Sequence, residues 1–170
     1  MRNATNHAEL QWRRRKSVTE VELKPSKLNK IKDLLKAGDL CVLATCAEGN
    51  PHCSLMAYIT DHAVATVYMV TLKQTQKYKN LLRNPQISLL VDTRHEQARS
   101  AQPQIQALTV SGVFQPIAEE NEKQRIFAAM AERHPQLREL MANPDAEPFA
   151  ITIHSFLLLD GALDAQYIEI

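Results

Sequence analysis

Between Leu40 and Thr71 the chain alternates apolar with polar or small residues three times in succession: over Leu40 to Cys46, Cys53 to Thr60 and Ala65 to Thr71. The links between these runs, Ala47-Glu48-Gly49-Asn50-Pro51 and Asp61-His62-Ala63, carry turn chemistry and are too short for a helical crossover. Three strands joined that tightly run antiparallel, so a doubly wound parallel sheet is excluded from this half of the chain.

The remainder supplies the layers. A helix from Ser26 to Ala37 puts Leu28, Ile31, Leu34 and Leu35 on one face and stops at Gly38. Helical spacing returns over Thr75 to Arg83, with Tyr78, Leu81 and Leu82 on one side and Asn84-Pro85 as its end. Glu119 to Arg133 is a third amphipathic helix, facing inward with Ile126, Phe127 and Met130, and Pro135 opens a shorter one through Leu137, Leu140 and Met141. Further strands are expected at Ile87 to Val91, Ala107 to Phe114, Phe149 to Leu159 and Gln166 to Ile170, with a mobile loop over Asp92 to Gln104. Residues 1–22, with Trp12 and the basic run Arg13 to Lys16, read as an N-terminal arm, and residues 23–170 as one domain. Seven or so short strands with three or four helices define an α+β class: a small antiparallel barrel with flanking helices. A barrel that small is filled by its own side chains, so a sizeable ligand belongs on its outer wall, in a groove shared with a second subunit.

Composition narrows the function. The 170 residues contain four glycines, Gly38, Gly49, Gly112 and Gly161, none within ten positions of another, so no glycine-rich phosphate loop exists. A net charge of +1 gives no global field for a polyanion, and nucleic acid is not an expected partner. No apolar run is long enough to span a membrane and the N-terminus does not read as a secretory signal, so a cytoplasmic protein with no membrane association is expected. Cys41, Cys46 and Cys53 suit reduced thiols on small strand positions; with His52 they match no metal-ligand spacing, and no metal is expected. Ser-His-Asp arrangements and paired carboxylates in a recognisable loop are missing, which removes support for a hydrolase.

The segment with the most chemical character runs from His62 to Val91. It holds Lys73, Lys77, Lys79 and Arg83 and no acid. Within it a strand ending at Thr71 passes through Leu72-Lys73-Gln74 into a helix that begins Thr75-Gln76-Lys77. Unpaired N–H groups and the positive dipole end there favour a phosphate or carboxylate, with Thr75 and Lys77 adding a hydroxyl and a cation. The competing account is that Thr75 caps its helix and the lysines form a solvated face. Similar alternatives attach to the other candidates. His52 beside the hairpin turn is an exposed residue or a ligand, His154 a satisfied structural histidine, and Tyr58 and Tyr68 packing residues or neighbours of a ring.

Ser54-Leu55-Met56-Ala57-Tyr58, Val67-Tyr68-Met69-Val70-Thr71, Thr75-Gln76-Lys77, Asn84-Pro85 and Ser88-Leu89-Leu90-Val91 occur in an order and spacing that resemble the FMN-binding split barrel of the pyridoxamine 5′-phosphate oxidase-like proteins. The likeness extends loosely from Ser26 to Val113. It implies a split β-barrel homodimer with FMN at the subunit interface. Thr75, Gln76 and Lys77 would lie at the phosphate, Met69, Val70 and Thr71 along the flavin ring, and Ser54, Leu55 and Met56 on the facing strand. It also implies a flavoprotein oxidoreductase in which the flavin carries the hydride or electron chemistry. Three departures count against pyridoxamine phosphate as substrate: Ser54 stands where the oxidases place a flavin-contacting Arg, Ile59 where they place a Lys, and Gln76 in place of the Arg of Ser-Arg-Lys. The family's C-terminal Trp and Arg signature is missing as well, since the last Trp is Trp12 and the last Arg is Arg138. A non-catalytic flavin or haem carrier or sensor on the same barrel is the alternative function. For the flavoprotein, reoxidation independent of pH near neutrality is expected, because all six histidines lie outside Ala63 to Arg94.

Overall fold

The computed structural model describes residues 25–92, 106–161 and 164–170; the expected arm and nearly all of the expected mobile loop lie outside them. α1 (Pro25–Ala37) is followed by β1 (Leu40–Ala47), β2 (Asn50–Ala57), β3 (Ile59–Thr60) and β4 (Thr66–Leu72). α2 (Gln76–Arg83) leads into β5 (Gln86–Asp92) and β6 (Gln106–Pro116). α3 (Glu120–Arg133), a 3₁₀ turn at Pro135–Leu137 and α4 (Arg138–Met141) precede β7 (Ala146–Asp160) and β8 (Asp164–Glu169). Among the described residues no helix is long and apolar enough to cross a membrane.

All the strands belong to one antiparallel sheet of order β2-β1-β5-β6-β7-β4-β3, with β8 continuing beside β7 where β4 leaves off. The sheet curls around a core that includes Leu43, Met69, Leu89, Val110, Phe149 and Phe156, while its two ends, β2 and β3/β4, come together without a shared ladder. The result is a split barrel. A second core forms on the outside of β4 and β7, where Val70, Ala146 and Ala150 receive Ile126 and Met130 of α3. Curling demands close approach of long strands, and the site of closest approach is Gly112. A Cβ there would stand 2.5 Å from the Thr152 carbonyl oxygen and 2.7 Å from Ile151 Cγ2. The β6–β7 register shifts at this point, from Ser111↔Ser155 to Gly112↔Ile153, leaving His154 as the extra residue of a bulge.

α1 plugs one end of the barrel with fully buried Ile31 and Leu35. Its exit is tied by Tyr58, whose hydroxyl donates to the Leu35 carbonyl at 2.7 Å and whose N–H donates to the Asp39 carbonyl. The carbonyls of Lys36, Ala37 and Gly38 accept from Arg133 of α3, a cation placed at the negative end of the α1 dipole. Buried His134 completes the joint with Nε2 at 2.9 Å from the Tyr58 carbonyl.

Three boundaries differ from expectation for local reasons. β2 starts at Asn50 rather than Cys53, because Glu48 and Gly49 both take positive φ, 53° and 78°, and form a two-residue turn of the kind that matches strand twist. Tyr58 divides the second run into β2 and β3, since it turns inward to bond α1 instead of continuing the alternation. β7 begins at Ala146 and contains Pro148; the β6 ladder ends at Pro116↔Phe149, so Pro148 has a neighbouring strand on one side only, where a missing N–H is tolerated.

Candidate functional site

Alternation along β4 sends Val67, Met69 and Thr71 to the barrel interior and Val70 to the second core. Met69 and Val70 therefore offer main chain, not side chains, to anything in the split. β3 covers β4 only at Val67 and Tyr68, so the opposite edge of Met69 to Leu72 has no strand partner among the described residues. Thr71, buried, places Oγ1 3.2 Å from Thr75 Oγ1. Thr75 spends its own hydroxyl hydrogen on the Leu72 carbonyl at 2.8 Å and makes no side-chain cap, which removes the capping account. The first-turn N–H groups of α2 therefore have no side-chain cap from Thr75. Lys77 stands in that turn half-buried, with its ammonium pushed below the usual lysine range by desolvation, and no carboxylate pairs with it among the described residues. A cation that has lost water and gained no counter-ion favours an incoming anion.

α2 is held to β1 through side-chain amides, of which Asn80 is buried and Gln76 exposed. Gln76 Nε2 donates to Asn80 Oδ1 at 2.8 Å and Asn80 Nδ2 to Thr45 Oγ1 at 3.2 Å, with Asn80 and Thr45 each 2% exposed. Further along, Asn84 Nδ2 donates to the Cys46 carbonyl at 2.9 Å and Arg83 pairs with Glu48. α2 is thereby fastened to the β1–β2 hairpin.

β2 supplies the opposing wall. Ser54 and Met56 share the inward face with their partners Leu43 and Cys41, whereas Leu55 pairs with Val42 on the outside and is 70% exposed. The structure thus brings Thr71, Thr75, Gln76 and Lys77 together at one end of the split, sets Ser54 and Met56 on the strand across it, and turns Leu55 away. His52 is half-buried opposite Thr45, the residue to which Asn80 of α2 is bonded, so a histidine lies closer to this region than its sequence position indicates. His154 is exposed at the bulge rather than satisfied within a strand. Tyr58 and half-buried Tyr68 pack, as one of their two accounts requires.

Groups without local sequence signals flank the same junction. Glu147 of β7 is the cross-strand partner of Thr71, and its carboxylate bridges two lysines: Lys123 Nζ at 2.6 Å on one oxygen and Lys73 Nζ at 3.1 Å on the other. Burial alone would raise this carboxyl; the hydrogen bonds and charges of Lys123 and Lys73 outweigh it and hold it below its ordinary value. Tyr78, in the first turn of α2, is raised by burial and then by Glu147, and packs edge-on against Phe114 with centroids 6.1 Å apart.

A second concavity of about 350 Å³ lies on the outer face, between the end of α1 and the sheet, lined by Leu34, Ala37, Leu40, Val42, Leu55 and Leu90. Val42 pairs with both Leu55 and Leu90, and the row continues through Thr109 and Leu157 to Tyr167, crossing six strands. The three cysteines are free: burial pushes the Cys41 thiol up to about 12, Cys46 is half-buried and Cys53 exposed.

A curled antiparallel sheet with flanking helices, open along one seam beside a helix N-terminus, defines the split-barrel class of proteins. The chain belongs to the pyridoxamine 5′-phosphate oxidase family, whose model matches residues 28–159. No curated protein sequence matches it. Solved structures of similar fold include a candidate pyridoxamine 5′-phosphate oxidase from Listeria innocua, 21% identical, covering 77% of this chain and 96% of that one at a TM-score of 0.60. The haem storage protein HutZ from Vibrio cholerae is 19% identical over 81% and 94% of the two chains, with a TM-score of 0.62. An FAD-binding protein from Mesorhizobium loti is 18% identical over 76% and 91%, with a TM-score of 0.63. At these identities the likeness is one of fold.

Proposed function

We propose that this protein is an FMN-binding oxidoreductase that works as a homodimer, with the FMN phosphate on the first turn of α2 and the flavin ring along the unpaired edge of β4. The observation that carries this reading is Lys77: half-buried, partly desolvated and without an acid partner among the described residues, beside a helix start that Thr75 does not cap. Family membership supports a flavin as the group that fits. When bound, FMN supplies the hydride or electron chemistry. The chain's own residues bind and orient: Lys77 and the α2 amides take the phosphate charge, Thr71 and the main chain of Met69 and Val70 line the ring edge, and Ser54 with the main chain of Met56 faces it from β2. The outer row from Leu55 to Tyr167, apolar except for Thr109 and exposed at Leu55, Leu90 and Tyr167, supports a second copy as its cover.

Replacing Lys77 with Glu tests the reading. FMN binding should fall at least tenfold while riboflavin, which lacks the dianion, binds nearly as before; equal loss of both ligands would sink it. The resemblance of the fold to HutZ supports a haem carrier as the second reading. A visible spectrum of the purified protein separates the two, flavin bands against a Soret band.

A further inference from the structure

We propose that Glu147 limits the affinity of the α2 anion site by holding Lys73 and Lys123 away from it, so that this carboxylate sets how tightly a phosphate ligand binds. The inference rests on the reading of α2 as a phosphate anchor and adds a residue from another part of the fold. Glu147 reaches the junction through β7, as the partner of Thr71, whose hydroxyl meets that of Thr75 at the start of α2. Lys73 lies two residues before Thr75, and its N–H donates to the Asp145 carbonyl at 3.0 Å, which lays the β4–α2 turn along the start of β7. From there half-exposed Lys73 directs its ammonium to Glu147, and Lys123 arrives from α3 onto the other carboxylate oxygen.

The charges decide the consequence. Two lysines and one carboxylate leave +1 beside the first turn of α2, and removal of the carboxylate leaves +2. The carboxylate is 11% exposed, so water screens it less than a surface acid. One unit charge facing a phosphate dianion across roughly 8 Å in a water-like dielectric changes affinity by about fivefold. A purely structural bridge makes a different forecast, since loss of either partner would weaken folding and leave ligand preference alone. The arrangement instead predicts opposite signs for the two partners: Glu147→Gln tightens the anion site and Lys73→Met loosens it.

The experiment is titration of the full-length apoprotein with FMN and with riboflavin, for wild type, Glu147→Gln, Lys73→Met and Lys77→Glu. The expected result is an FMN-to-riboflavin affinity ratio about fivefold higher in Glu147→Gln and lower in Lys73→Met by up to the same factor, both differences shrinking in high salt. If Lys77→Glu loses FMN selectively while neither of the other variants moves the ratio, the role of Glu147 is overturned and the phosphate site stands. A wild type that does not prefer FMN to riboflavin overturns both. Should Glu147→Gln fail to fold, Lys73→Met decides alone, because Lys73 is half exposed and its removal leaves the Lys123–Glu147 pair intact. A ratio unchanged in that variant then refutes the inference.

Discussion

Gly112 is the position where the curl of the sheet leaves no room, and Gly112→Ala measures how strictly that curl is imposed. The added Cβ would sit 2.5 Å from the Thr152 carbonyl oxygen and 2.7 Å from Ile151 Cγ2. The nearest obstacle is main chain at the centre of β7, which is hydrogen-bonded to β4 and β6 on its two sides and cannot swing aside as a side-chain tip does. Relief requires the two strands to separate by nearly an ångström at the bulge, disturbing packing around Phe114 and Phe149. Overpacking of this kind costs about 3 kcal/mol, the upper part of the ordinary range. With an unfolding entropy of roughly 2 cal/mol/K per residue, that corresponds to a fall in Tm of about 8 °C for a chain of this length. Thermal unfolding by circular dichroism, with urea titration to confirm an unchanged m-value, reads the effect. A loss below about 1 kcal/mol would show that β6 and β7 slide freely past each other and that the glycine is not what permits the curl.

Three other outcomes follow from separate parts of the molecule. If the protein forms the proposed homodimer, Leu55→Arg on the exposed outer row should make it monomeric in sedimentation while leaving the circular dichroism spectrum of the fold nearly unchanged; a variant that stays dimeric refutes this face as the interface. Glu147 is held below its ordinary value of 4.5, so the stability it contributes is complete above that pH and is lost as pH falls through its lower folded-state value. Glu147→Gln should accordingly flatten the acid side of the stability profile below about pH 5, and an unchanged acid limb counts against the bridge. Among the thiols, Cys53 should react first with a maleimide in the native protein and Cys41, buried and pushed up to about 12, only on unfolding; early labelling of Cys41 would contradict its burial.

Legibility in the sequence tracked the range of the interaction. Period-two runs announced β1, β5 and β6 because each keeps a partly exposed face, β4 stood out by its β-branched and aromatic residues, and Asn84-Pro85 marked the end of α2 because proline chemistry is local. The break at Tyr58 was not legible, since its cause is a hydroxyl bonded to Leu35, twenty-three residues away. Neither was the company of Thr71. Glu147 reaches it only through sheet register, and Lys123 reaches Glu147 only because α3 folds back over the barrel. The Asn80–Thr45 link escaped for the same reason, as did His134, a residue that reads as a helix terminus and is 1% exposed. Of the candidate site, the residues at Thr71 to Lys77 were visible as a motif and the groups that tune them were not.

Tyr58 gives the split an unequal mechanics. At that residue β2 and β4 are joined through β3, and α1, Asp39 and His134 all fasten to the same point. The other end of β2, at the Glu48-Gly49 turn, is fastened to α2 by the Asn80–Thr45 and Asn84–Cys46 hydrogen bonds and the exposed Arg83–Glu48 pair, beside Leu81 in the core. The seam therefore has two unlike ends, one locked by buried packing and main-chain bonds at Tyr58, the other by side-chain hydrogen bonds from α2 to the hairpin.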